Sequence, residues 1–211
     1  YLRQGYNVYL SSRLPASCCH FSVLSRSHHL VINWSNRDSI LSSLPANLDL
    51  IIHCAGLNAS DCLASPDDAL DFNTSKTGLL LSAATLLNVS RFIYLSTVHV
   101  YSQSPTGLIS ENSLVHNDHP YASSKFHAER LVSATSLSGD IECLSIRLSN
   151  AFGIPLVTSS SSWSLFVNDM CKQSVQYDSL TIRANPFQFR DFVPLAYVCS
   201  FFDYLLSLPT F

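Results

Sequence analysis

Apolar residues along this chain fall into short runs separated by longer stretches that alternate on a helical period. The pattern predicts strands at Asn7–Leu10, 29–33, Leu48–Cys54, Arg91–Ser96 and Ile141–Leu148. The run Leu-Asp-Leu-Ile-Ile-His-Cys at 48–54 is nearly continuous, which suits a strand buried on both faces of a parallel sheet. Between the strands lie a short helical pattern at Asp38–Leu44, a long one from Ser65 to about Leu87, and one over Tyr121–Thr135. Ser65 suits a helix N-cap, Pro66 the first helical position, and Asp67 and Asp68 the positive end of the helix dipole. Gly5 fits the end of a preceding helical turn. Strands alternating with helices of this length indicate right-handed βαβ units, hence an α/β fold with a doubly wound parallel sheet. Past Asn150 the texture changes to a loop with Pro155, a serine run at 159–162, a helix near 163–175, a strand near 179–183 and an apolar helix over 195–207.

Composition narrows the function classes. A chain of 211 residues with 47% hydrophobic and 13% charged residues can bury a full core and is not disordered. A net charge of −3 gives no electrostatic footprint for nucleic acid or an anionic membrane. No apolar run reaches the roughly 18 residues of a membrane span, and no secretory signal is visible. Seven scattered cysteines without a Cys-x-x-Cys pair fit reduced thiols in a cytoplasmic protein. Eight histidines form no metal-binding spacing, so no metal site is expected.

The chemistry centres on Tyr121-Ala122-Ser123-Ser124-Lys125. Four residues apart on a helix, the Tyr121 phenol and the Lys125 ammonium share a face. A cation beside a phenol favours the phenolate, and bringing a tyrosine from near 10 to about 7 needs roughly 4 kcal/mol. An ammonium together with a cationic cofactor ring is able to supply that, making Tyr121 a general acid or base.

Around this pair stand His53-Cys54-Ala55-Gly56, Asn73, Ser96-Thr97 at a strand end 24 residues before Tyr121, Arg147-Leu148-Ser149-Asn150-Ala151-Phe152-Gly153, and Arg190-Asp191-Phe192-Val193. Together they closely resemble the extended short-chain dehydrogenase/reductase family, in its nucleotide-sugar epimerase/dehydratase branch. The resemblance implies a Rossmann-type dinucleotide-binding domain over 1–150 and the start of a substrate-binding domain over 151–211. It implies Tyr121 as the acid/base toward a sugar hydroxyl, Lys125 as the residue that holds the nicotinamide ribose, and Thr97 as the hydrogen-bonding partner of the reacting oxygen. Arg13, Ala55, Gly56, Asn73, Ser96, Tyr121 and Lys125 would meet the cofactor. Asn150 and Arg190, with Thr97, would meet a nucleotide-sugar substrate. A homodimer through the helices at 66–87 and 121–135 is implied in the same way.

The chain departs from the family at four places. Only Gly5 lies in the first 55 residues, so a Gly-x-x-Gly-x-x-Gly loop is absent; we expect the first strand and glycine loop to be missing and dinucleotide binding to be weak. The second strand ends Ser11-Ser12-Arg13 with no Asp or Glu before Asp38, which favours NADP over NAD. Val98-His99 follow Thr97 where the family's 4,6-dehydratases carry an acidic pair, which points to epimerisation or keto-sugar reduction. Ala196 stands where the family usually has an aspartate, which touches the substrate pocket. Competing expectations are a dehydrogenase acting on a sterol-like or other non-sugar alcohol, and a non-catalytic NAD(P)-binding module. Retention of Thr97, Tyr121 and Lys125 argues against the latter.

Overall fold

The computed structural model describes residues 5–12, 27–102, 107–155, 160–182, 185, 187 and 189–211. The helical turn expected before Gly5, and Arg13, lie outside the described residues. The chain divides into two compact units, one of 1–96 with 118–146, the other of 97–117 with 147–211.

In the first unit, β1 (Tyr9–Ser12) pairs in parallel with β2 (His28–Val31), with the Tyr9 and His28 rings stacked 4.9 Å apart. Helix α1 (Arg37–Ser43) starts at Asn36, whose side chain accepts the Ser39 amide at 2.8 Å. Strand β3 (Leu50–His53) pairs in parallel with β4 (Arg91–Thr97), which also borders β5 (Glu142–Leu148). The expected strands are therefore present with ends shifted by one or two residues. At the start of β4 and β5 the half-buried Arg91 and Glu142 side chains meet at 3.0 Å. Phe92, Ile93 and Tyr94 are fully buried in the central strand. With Ile40, Leu80, Leu81, Val89 and Val132, Phe92 and Tyr94 form one apolar core. Each such large side chain contributes about 1.5–3 kcal/mol by leaving water.

The long helix expected from Ser65 to Leu87 is instead a composite. Helix α2 (Ala59–Ala64) precedes it, opened by Asn58, whose side chain accepts the Asp61 amide at 3.0 Å. Ser65 has φ −142° and makes no side-chain cap; the break falls there because Pro66 has no N–H with which to continue α2. After α3 (Pro66–Ala69) the chain widens into a π-helical segment, Leu70–Ser75, before α4 (Lys76–Leu86). Helix α5 (Pro120–Ser138) carries proline in its first turn and ends at Gly139, whose φ of +81° is a conformation that favours glycine.

The second unit holds β6 (Asn150–Phe152) paired in parallel with β7 (Phe192–Pro194), α6 (Phe166–Gln176) and α7 (Leu195–Ser207). Three-residue strands carry too little periodicity to be read from sequence. The strand expected near 179–183 is not formed over 179–182. There the Gln173 side chain pairs with both backbone groups of Thr181, accepting its N–H at 2.8 Å and donating to its carbonyl at 3.3 Å, which replaces a strand neighbour. Helix α7 coincides with the expected 195–207. Among the described residues no helix is long and apolar enough to cross a membrane.

Candidate active site

Strand β3 delivers His53 to the core and then turns outward through Cys54, Ala55 and Gly56. The turn is held from beneath by Asn73, which is 1% exposed, in the π-helical segment. Its side-chain oxygen accepts the Leu57 amide at 2.7 Å, and its Nδ2 donates to Ser124 Oγ at 3.0 Å. Ser124 Oγ donates in turn to the Tyr121 carbonyl at 3.1 Å, and Thr74 Oγ1 donates to the Ser124 carbonyl at 2.8 Å. The first turn of α5, which carries Tyr121, is thus stitched to the loop after β3 through a single buried amide. A π-helical widening adds a residue to the turn, and such segments occur disproportionately at functional sites. We expect Asn73→Leu to cost about 2–4 kcal/mol by stranding the Leu57 amide and the Ser124 hydroxyl, read as a lower denaturant midpoint at unchanged m-value.

Thr77 Oγ1 spends its hydrogen on the Asn73 carbonyl at 2.8 Å, so the contact of His53 Nε2 with Thr77 Oγ1 at 3.0 Å requires His53 to be the donor. That assigns the proton to Nε2. Burial first, and the Lys125 charge second, hold the imidazole neutral, with its pKa lowered to about 3.

Lys125 is 5% exposed; its Nζ donates to the Leu95 carbonyl at 2.6 Å and sits 4.3 Å over the Tyr94 ring. Burial lowers its pKa to about 8, opposed by Cys54, Glu129 and Cys62. The ammonium therefore remains the major form at pH 7. Half-buried Tyr121 lies one turn earlier on the same helix face. At Gly56 a Cβ would come within 3.0 Å of Asn73 Oδ1, so a side chain there would push on the amide that holds Leu57, while Lys125 Nζ would stand at an ordinary contact of 3.7 Å. Ser96 is buried, and among the described residues its hydroxyl oxygen lacks a hydrogen-bond partner.

Gly56, Asn73 and Lys125 therefore meet, and Ser124, Glu129 and Tyr94, which sequence reasoning did not single out, complete their surroundings. The Asn73–Ser124 contact spans 51 positions and leaves no local signal.

In the second unit Thr97 is buried and its Oγ1 accepts the His99 amide at 3.2 Å, capping the short 3₁₀ turn Val98–Val100. The Asn150 amide donates to the Asp191 carbonyl at 2.9 Å, which ties it to the chain entering β7, while Arg190 is exposed. The Arg147 guanidinium lies 4.7 Å over the Tyr101 ring. Among the described residues no group of three or more His, Cys, Asp or Glu side chains is placed to hold a metal ion.

A family model described as the NAD dependent epimerase/dehydratase family matches residues 1–209. The low-salt glycan biosynthesis protein Agl12 of Haloferax volcanii is 27% identical over 132 residues, 62% of this chain and 43% of that protein. The dTDP-glucose 4,6-dehydratase of Streptomyces niveus is 28% identical over 130 residues, 57% of this chain and 39% of that protein. The chain thus matches less than half the length of these two curated relatives. Among solved structures, the UDP-glucuronic acid 4-epimerase from Bacillus cereus, in complex with UDP-glucuronic acid and NAD, superposes with a TM-score of 0.78 at 20% identity. That superposition covers 98% of this chain and 67% of the epimerase chain, and establishes the α/β fold as Rossmann-like.

Proposed function

Because this chain belongs to the NAD-dependent epimerase/dehydratase family, we propose that it serves an NAD(P)-dependent epimerase or keto-reductase acting on a nucleotide-activated sugar. The observation that supports this most is the buried Lys125 ammonium, fixed on the Leu95 carbonyl one helical turn from Tyr121. The residues fit a nicotinamide dinucleotide: Gly56 leaves room where a Cβ would press on the Asn73 side chain, and among the described residues the buried Ser96 hydroxyl lacks a partner. Bound cofactor supplies hydride transfer at the sugar carbon. Tyr121 takes or returns the hydroxyl proton, and the nearby ammonium stabilises the phenolate this creates. Lys125 keeps two further donor hydrogens for the ribose. Thr97 takes the part of hydrogen-bonding the reacting oxygen. Asn150 and Arg190 take the nucleotide-sugar end, where arginine's fixed fork suits a diphosphate.

Val98 and His99, following Thr97, offer no carboxylate to expel a hydroxyl, which favours epimerisation or reduction over dehydration. Incubation with UDP-glucuronic acid and NAD, followed by NMR and mass spectrometry, is expected to give a C4 epimer of unchanged mass. A product lighter by one water would make the protein a dehydratase. Stoichiometric consumption of NAD(P)H on a keto-sugar would select the reductase form.

Ser11 and Ser12, the last residues of β1, precede Arg13 with no acidic side chain to reject a 2′-phosphate, so we retain NADP as the preferred form. Arg13→Ser is expected to weaken NADP binding about tenfold and NAD binding little, measured by calorimetry. The homodimer through 66–87 and 121–135 belongs to the same proposal and is checked by light scattering.

A further inference from the structure

Helix α5 places Tyr121, Lys125 and Glu129 on one face at successive turns. Burial deepens along that row: Tyr121 is half-buried, Lys125 is 5% exposed and Glu129 is 4% exposed. A carboxylate so deep in a core is costly unless it compensates another charge. The fixed contacts of the Lys125 ammonium, the Leu95 carbonyl and the Tyr94 ring, are neutral. The titratable groups that face it from other elements are His53 on β3, Cys54 after β3, Cys62 on α2 and Tyr94 on β4. The imidazole is held low and the two thiols and the phenol are pushed up, desolvation being the first cause for each. Glu129 is the one carboxylate among the groups that act on Lys125, beside the Cys54 and Cys62 thiols.

We infer that Glu129 is a positioning residue for Lys125: its buried carboxylate, one turn further along α5, keeps the ammonium charged and seated between the Leu95 carbonyl and the face of the Tyr94 ring. This rests on the proposed role of Lys125 for its functional consequence, not for its electrostatics. Without Glu129, only the Cys54 and Cys62 sulfurs oppose desolvation at Lys125, and its balance near pH 7 moves toward the neutral amine. A neutral amine no longer stabilises a phenolate and loses its attraction to the Tyr94 ring.

The test uses the three lysines of the chain, Lys76, Lys125 and Lys172, labelled with ¹³C and followed by NMR titration without cofactor or substrate. The Lys125 signal is the one absent from Lys125→Met. Glu129→Gln, nearly identical in shape, is expected to lower the Lys125 midpoint by about one pH unit or more. Glu129→Asp, shorter but charged, is expected to stay within about half a pH unit of the native value. A space-filling role would reverse that order, with Gln tolerated and Asp disruptive. An unchanged Lys125 midpoint in Glu129→Gln would overturn the inference. If Glu129→Gln does not fold, Lys125→Met in the same chain is expected to restore folding, because no ammonium is left to compensate; lack of rescue would equally overturn it. Failure of the sugar assay leaves this titration untouched, so the two readings fall separately.

Discussion

Replacing Tyr121 by phenylalanine is expected to reduce turnover on a nucleotide sugar by roughly 10²–10⁴-fold, with NAD(P) affinity changed little. The substitution removes one oxygen from a half-buried ring and leaves the helix that carries it intact. Tyr121 contributes its carbonyl, not its hydroxyl, to the bond from Ser124, so the stitching between α5 and the π-helical segment survives. Lys125 likewise keeps its bond to Leu95. The variant should therefore unfold at the temperature of the native protein while single-turnover hydride transfer slows. Loss of cofactor affinity in step with turnover would show Tyr121 to be a binding residue; retention of full turnover would remove the acid/base assignment.

Acidification should destabilise the fold through His53 by about 5 kcal/mol between pH 6.5 and pH 3, at about 1.36 kcal/mol for each pH unit of that interval. The sign follows from proton uptake. In the unfolded chain this imidazole protonates near its ordinary value of 6.5, whereas in the folded protein its pKa is about 3. Between those values the unfolded state binds the extra proton, so the neutral-His contribution is complete above pH 6.5 and is lost as pH falls toward 3. His53→Gln keeps a side-chain donor toward Thr77 without a titrating ring. Denaturant unfolding at pH 7 and pH 4 should show a steep loss in the native protein and a flatter one in the variant. Parallel losses in both would assign the acid sensitivity elsewhere. Against the usual 5–15 kcal/mol of a folded domain, a loss of that size is a large share of the total.

Much of this was open to reading from residue order alone. Tyr121 and Lys125 share a face because a helix repeats every 3.6 residues, and that relation needs no distant neighbour. The strand at 48–54 announces itself as an unbroken apolar run, and α7 as an apolar helical pattern. The stretch at 59–75 was not legible in the same way. Serine, proline and two aspartates make a good local helix start, yet the chain had already begun a helix at Asn58 and then widened at Leu70–Ser75. That widening lets the Asn73 amide reach both Leu57 and Ser124. The segment 179–182, apolar enough for a strand, met a glutamine side chain before it met a strand.

By itself, then, the sequence determined the alternation of strands and helices and the pairing of a phenol with an ammonium, which depend on neighbours a few positions apart, and the family, which depends on the order of short motifs along the chain. Tertiary structure alone decided what surrounds that ammonium: a carbonyl 30 positions upstream, an aromatic floor, and an imidazole held neutral by burial. Desolvation is the physical reason. The charge of a lysine or histidine depends on how much water the rest of the chain removes from it, and water is removed by residues far away in sequence.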